Sequence, residues 1–352
     1  MPLMRPQDIL MLDAAGLYCK PGGFHIDPVR PVDRAVITHG HSDHARPGHR
    51  AVLATQETLD IMRLRYGDDF AGSTQAISYG QEIRLGDVSI TFHPAGHVLG
   101  SAQIAVTHGG VRIVASGDYK DVHDPTCTPF EVVQCDVFIT EATFGLPVFR
   151  HGDPASEVGK LLASVALFPE RAHLVGAYSL GKAQRVIALV RDAGYGAPIY
   201  LHGAMNKVTH YYQSRGIGLG DLRPVKGMKK ADLAGTITLA PPSATADLWT
   251  RRFPDPVTAF ASGWMRVRAR ARQRGAELPL VISDHADWTG LTRTIAATGA
   301  GEIWVTHGQE DALVHWCTTQ GLVARPLALV GYGDEDLEEE VVVSFSGGEY
   351  GL

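Results

Sequence analysis

Residues 38–44 read Thr38-His39-Gly40-His41-Ser42-Asp43-His44. Three imidazoles and a carboxylate thus fall within six residues, and both groups ligate zinc at about 2.0–2.2 Å. A tight loop at a strand end can aim such groups at one spot without the 3.6-residue spacing a helix imposes. A chance surface cluster is the bland alternative, but alternation followed by a paired Asp-His is a demanding pattern. The chain carries 16 histidines, an ample supply for a metal site.

That loop needs a strand to carry it, and AVIT (35–38) is the candidate. It is one of several short β-branched runs bounded by turn residues, with VSITFH (88–93), AQIAVT (102–107), VRIVAS (111–116) and DVFIT (136–140). His108-Gly109-Gly110 lies between two of them and predicts a hairpin turn. After residue 150 the rhythm changes. HLVGAY (173–178) precedes a helical pattern over 181–193, and PIYLHG (198–203) precedes one over 204–214. TITLA (236–240), VTAFAS (257–262), LPLVIS (278–283) and EIWVTH (302–307) follow, then a helix near 309–320. Such alternation predicts helices packed on a mostly parallel sheet. There is no internal repeat, low-complexity tract or long linker, so the middle reads as an insertion.

The 352 residues suggest about two domains. With 45% hydrophobic and 20% charged residues, the composition argues against disorder and against a coiled coil. A chain of this length can bury a core without disulfide staples. No apolar run approaches the ~18 residues of a membrane span, and MPLMRPQDILMLD lacks a signal-peptide layout. The four cysteines show no CxxC spacing, so reduced thiols and a cytoplasmic location are expected.

The net charge of −6 speaks against nucleic acid when taken whole. Residues 151–284, however, carry 18 Lys and Arg against 10 Asp and Glu, a net +8, while the remainder carries 14 against 28, a net −14. RPVKGMKK (223–230) and the seven arginines of 251–274 dominate the basic part, and DEDLEEE (334–340) the acidic part. Such asymmetry can mark a domain with its own electrostatic role, and a solvated face is the alternative. RVRARAR would place its arginines on one face of a strand or spread them around a helix.

The 39–44 motif, HxHxDH, resembles the signature of the metallo-β-lactamase superfamily. The resemblance implies an α/β fold, an αββα sandwich with a two-metal site at one edge of its sheets. By that resemblance His39, His41 and His97 (in AGHVLGSA) hold one divalent ion, Zn2+ or Mn2+. Asp43 and His44 hold the second, and Asp118 (in ASGDYK) bridges them. Asp27 resembles the acid that ends an early strand and orients the loop, with a plain surface aspartate as the alternative. Two metals about 3.5–4 Å apart can generate a hydroxide at neutral pH and stabilise charge on a phosphoryl or carbonyl oxygen. Hydrolysis is therefore expected, and fold alone does not choose the substrate.

Three further pieces resemble the β-CASP nuclease branch: ITEATFG with Glu141, SDHADW with His285, and WVTHGQE with His307. The resemblance divides the chain into a metallo-β-lactamase domain over 1–150 and 285–352 and an inserted α/β β-CASP domain over 151–284. It implies that His307 completes the second metal's shell. His285 would protonate the leaving oxygen, with Glu141 orienting it, and Asp43 joins them among the catalytic residues. A capping acid and structural histidines are the alternatives for these positions. Ser179, Gly181 and Lys182 in YSLGKAQRV sit where a helix N-terminus could cradle a phosphate, and an ordinary Ser cap fits as well. Arg266 and Arg268 are expected to meet a nucleic-acid backbone electrostatically.

Artemis-type DNA nucleases usually lack the histidine seen here as His307, which pulls towards RNA. The stretch GLYCKPGGFHIDPVRPVDRAVITHGHSDHARPGH and the compact length resemble bacterial ligase-associated DNA exonucleases. The expectation is therefore a 5′-end-directed DNA exonuclease of repair, partnered with a DNA ligase and helicase. A β-CASP ribonuclease is the alternative, and a thioesterase or lactonase stands further behind.

Overall fold

A computed structural model describes residues 4–327 of the chain. The chain forms two compact units. Among the described residues, one comprises 4–148 with 285–327 and the other comprises 149–284. The acidic stretch 334–340 lies outside the described residues.

The first unit is built on two sheets. One has six strands in chain order: Leu10–Asp13, Gly16–Cys19, Phe24–Ile26, Arg34–Val36, Ala51–Ala54 and Thr74–Ala76. The other has seven, in the spatial order Val323–Pro326, Glu302–Gly308, Val137–Ala142, Val111–Ala115, Ala102–His108, Val88–Pro94 and Glu82–Leu85. The first four of these run parallel, and the rest form an antiparallel meander. His108 pairs with Val111, so Gly109-Gly110 make the two-residue hairpin turn that the sequence predicts.

Alternation along the strands explains the layering. Val88, Ile90 and Phe92 point one way and meet Leu17, Phe24, Ile26 and Val36 of the facing sheet. The strand Val137–Ala142 is buried on both faces. Its Val137 and Ile139 join the core between the sheets, while Phe138 packs with Leu291, Ile295 and Leu313 of helices Trp288–Thr298 and Glu310–Thr319. On the outer side of the six-stranded sheet, Ala35, Val52 and Ala54 pack with Leu59 and Met62 of helix Gln56–Tyr66. The order helix, sheet, sheet, helix is the α/β metallo-β-lactamase-type sandwich.

The second unit is a wholly parallel six-stranded sheet in the order Leu222–Pro224, Ile199–Leu201, Ile237–Ala240, His173–Gly176, Val257–Ala261 and Leu278–Leu280. Helices Pro154–Leu167, Lys182–Asp192 and Asn206–Ser214 belong to it. RVRARAR resolves as the short helix Arg268–Gln273, with Ala271 buried and the arginines exposed. All four cysteines are free thiols. No helix among the described residues is long and apolar enough to cross a membrane.

Candidate metal centre

Three neighbouring parallel strands deliver acid and imidazole to one edge of the seven-stranded sheet. Asp118 follows Val111–Ala115, Glu141 lies near the end of Val137–Ala142, and His307 near the end of Glu302–Gly308. Side chains at the carboxyl ends of adjacent parallel strands start only about 4.8 Å apart, which is why residues distant in sequence converge. His307 owes its direction to a β-bulge. Glu141 pairs with Thr306 and Ala142 with Gly308, so His307 has no opposite number. Its φ of 55° is left-handed, uncommon for a residue with a Cβ.

The 38–44 loop leaves strand Arg34–Val36 and folds tightly, with the His44 and Ala45 amides both bonded to the His41 carbonyl. Asp27, 4% exposed, anchors it. Its Oδ1 accepts from the Thr38 amide at 2.8 Å, and its Oδ2 accepts from the Thr38 hydroxyl at 2.5 Å and from His44 Nδ1 at 2.8 Å. Because the Thr38 hydroxyl donates to the carboxylate, only its lone pairs face His39 Nδ1, 3.0 Å away. His39 Nδ1 and His44 Nδ1 therefore both carry protons, and their Nε2 atoms face the centre. Arg65 of helix Gln56–Tyr66 holds the loop from outside by donating to the Gly40 carbonyl. The His97 loop is tied in by Ser101, whose hydroxyl accepts from the amides of His97 and Val98, and by the Ala102 amide bonding the Thr38 carbonyl.

The donor atoms of His39, His41, His97 and Asp118 all lie within 4.8 Å of one another. His41 Nδ1 is 3.1 Å from His39 Nε2 and 3.0 Å from His97 Nε2, and Asp118 Oδ2 is 3.5 and 3.9 Å from those same Nε2 atoms. Ligand atoms at 2.0–2.1 Å around a tetrahedral ion stand about 3.3 Å apart, so this spacing fits a divalent cation. His44, Asp118 and His307 form a second such group. Asp118 Oδ2 is 3.3 Å from His44 Nε2, and Asp43 Oδ2 stands 3.5 Å from the same nitrogen. Asp118 thus belongs to both groups.

The electrostatics suit ligation. Burial holds the His39 imidazole well below its usual range, with the neighbouring His44 charge adding to the effect. Burial and His44 together push His307 down to about 3. Both rings are neutral near pH 7, as ligands must be. Burial alone would lower His44 and raise Asp118. Asp43 and Asp118 instead hold His44 well above its usual value, and His44 holds Asp118 well below.

Asp118, Glu141 and His285 form a third convergent group. Glu141 is fully buried, accepting from the Tyr119 amide through Oε1 at 2.7 Å. Its Oε2 accepts from the Thr143 hydroxyl at 2.6 Å and from His285 Nδ1 at 2.9 Å. Burial raises the Glu141 carboxyl above its usual value, against the opposing pull of His285. Lys120 is not among the residues that sequence reasoning singles out, yet its ammonium is buried and donates to the His285 carbonyl at 2.9 Å. Its place in GDYK, two residues after Asp118, is the signal that could have found it. Thr38 and Thr143 also escape the motif reading, although each adjoins a singled-out residue.

In the second unit, Gly181 caps helix Lys182–Asp192 with φ 82°, and Gln184 reaches back to bond the Gly181 amide and the Ser179 carbonyl. Lys182 is 2% exposed, with Nζ 2.5 Å from Asp284 Oδ1 and 5.1 Å from the Tyr178 ring centroid. Its charge is engaged inside the unit. Arg266 and Arg268 are exposed, beside Arg270, whose guanidinium lies over the Trp264 ring.

No protein-family model matches the chain. It is 28% identical over 88% of its length to a probable DNA ligase of Opitutus terrae, and covers 30% of that protein. It is 29% identical over 52% of its length to ribonuclease TTHA0252 of Thermus thermophilus, covering 48%. The chain therefore spans a third to a half of these two relatives. An uncharacterized protein in the lig 3′ region of Acidianus ambivalens is 33% identical over 38% of this chain, which covers 93% of it. Among solved structures, a protein of unknown function from Enterococcus faecalis V583 shares the fold, with a TM-score of 0.52, 14% identity, and coverage of 85% of this chain and 80% of that one. The chain belongs to the family of that Acidianus ambivalens protein, and its nuclease-named homologues are β-CASP metallo-β-lactamase members.

Proposed function

We propose that the chain is a metal-dependent nuclease that hydrolyses phosphodiester bonds, acting on DNA from 5′ ends in repair. The observation that carries this reading is the pair of donor groups sharing Asp118. His39, His41, His97 and Asp118 would hold one ion, and Asp43, His44, His307 and Asp118 the other, with zinc or manganese both suited to histidine and carboxylate. Two divalent ions bound there would supply Lewis acidity towards water and a phosphoryl oxygen.

The chain's own groups do the rest. Glu141 accepts from His285 Nδ1 and fixes the ring, so that Nε2, when the ring is an imidazolium, can pass its proton to the departing oxygen. Asp27 and Thr38 hold His44 and His39 with their Nε2 atoms inward. The +8 unit, read as the inserted β-CASP domain over 151–284, would attract the phosphate backbone. Exposed Arg266 and Arg268 serve there, with Ser179 and Gly181 at the sheet's carboxyl edge, while Lys182 keeps its charge on Asp284 inside the unit. A basic unit and an acid-oriented His285 have no use in a small-molecule thioesterase or lactonase.

The relative matched over most of this chain carries a DNA ligase name, which supports DNA and a ligase partner. RNA is the second reading, supported by the ribonuclease name of the Thermus thermophilus relative and by His307. The test uses 5′- and 3′-labelled single-stranded DNA and matching RNA, with zinc or manganese, and Asp43→Ala as control. Metal-dependent shortening of DNA from its 5′ end, lost in Asp43→Ala, is expected. RNA cleavage alone would sink the DNA assignment, and thioester or lactone turnover without polymer cleavage would sink the nuclease.

A further inference from the structure

A cavity of about 30 Å³ lies behind the second donor group, lined by Asp27, Thr38, His44, Ser116, Thr306 and His307 among its polar residues. Leu17, Ile26, Ala115 and Ile139 supply apolar wall. Thr306 is 5% exposed, and its hydroxyl has no hydrogen-bond partner among the described residues. A buried hydroxyl left unpaired is costly, and the cavity it lines is the space where a partner fits. About 10–15 Å³ of such space holds one water, which needs two to four polar partners. This cavity has room for one or two.

The polar lining is of the right kind. Ser116, 1% exposed, donates to the Gly117 carbonyl and keeps lone pairs to accept. The Asp27 carboxylate already orients the Thr38 hydroxyl and His44 Nδ1. Thr306 immediately precedes the bulged His307 and pairs with Glu141 in the ladder.

We propose that this cavity is a built water site, and that Thr306 is a positioning residue acting through the water it holds there. The water joins the strand bearing His307 to the Asp27 carboxylate that orients His44. One hydrogen-bonded chain then reaches both imidazoles of the second donor group, while His39 meets it only at Thr38, whose hydroxyl Asp27 already holds, and His41 and His97 lie outside it. The water site stands on the cavity alone. The positioning role rests on the two-metal reading.

Two measurements on the full chain test this, using wild type, Thr306→Val, which keeps the shape and removes the hydroxyl, and Thr306→Ser. Crystal structures of the metal-free proteins should show ordered water within hydrogen-bond distance of the residue-306 hydroxyl in wild type and Thr306→Ser, and none in Thr306→Val. Clear wild-type density with no water there overturns the site. Titration with zinc against a chromophoric chelator should give two binding steps in wild type. Thr306→Val should weaken one step about tenfold and leave the other unchanged, with Thr306→Ser restoring the loss. Two unchanged steps overturn the positioning role, as does equal weakening of both with a lowered thermal midpoint, the mark of a packing defect. Fewer than two steps in wild type would contradict the two-metal reading, while the crystal structures still decide the water.

Discussion

Asp27 serves three donors at once: the Thr38 amide, the Thr38 hydroxyl and His44 Nδ1. It fixes which nitrogen of two different histidines faces the centre. Glu141 does the same for His285, and the division of labour yields a prediction. His285→Ala removes the group proposed to protonate the departing oxygen, which is assigned to neither metal set although it converges on Asp118. Turnover should fall by roughly 10²–10⁴, while inductively coupled plasma analysis still finds two metals per chain. Loss of metal together with activity would move His285 into the ligand shell. At this scale the sequence is most informative where ligands are contiguous, as in 39–44. Lys182 shows the opposite. Its motif suggests an open phosphate cradle, but its partner Asp284 lies 102 positions away, and no local pattern announces a buried ion pair.

Strand ends decide whether those residues meet. Gly117 marks how closely two elements approach, between strand Val111–Ala115 and the 38–44 loop. Its φ is 56°, and a Cβ there would sit 2.8 Å from Thr38 Cβ. Gly117→Ala should therefore cost about 1–3 kcal/mol from left-handed strain plus the clash, read as a lowered urea midpoint. Zinc affinity should fall with it, because Thr38 orients His39. An unchanged midpoint and affinity would show that the loop yields freely. Strands with β-branched runs, such as Val88–Pro94 and Val111–Ala115, are legible in the sequence. The early strands Gly16–Cys19 and Phe24–Ile26 are not, being only four and three residues long. Helix Gln56–Tyr66 is equally hard to see, since its buried face rests on Leu59, Ile61 and Met62 amid charged neighbours. The bulge that turns His307 inward has no sequence signature of its own, only the glycine that follows it.

Across the molecule, charge is partitioned more sharply than the total of −6 suggests, with +8 carried by residues 151–284. The arginines of helix Arg268–Gln273 are exposed, and on the proposed function they would meet a phosphate backbone. Replacing Arg266 and Arg268 by alanine should weaken single-stranded DNA binding with little regard to sequence. The slope of log affinity against log salt should fall by about two. An unchanged slope would make these arginines a solvated face, the reading that the sequence leaves open. On the proposed function, two ions sharing Asp118 drive phosphodiester hydrolysis. Its most direct test is the rate of DNA cleavage by metal-stripped protein as zinc or manganese is added back by equivalents, in wild type and in Asp118→Ala. Activity should rise until two equivalents are bound, and Asp118→Ala should never recover it. Full activity at one equivalent, cleavage without metal, or a near-wild-type rate in Asp118→Ala would contradict it.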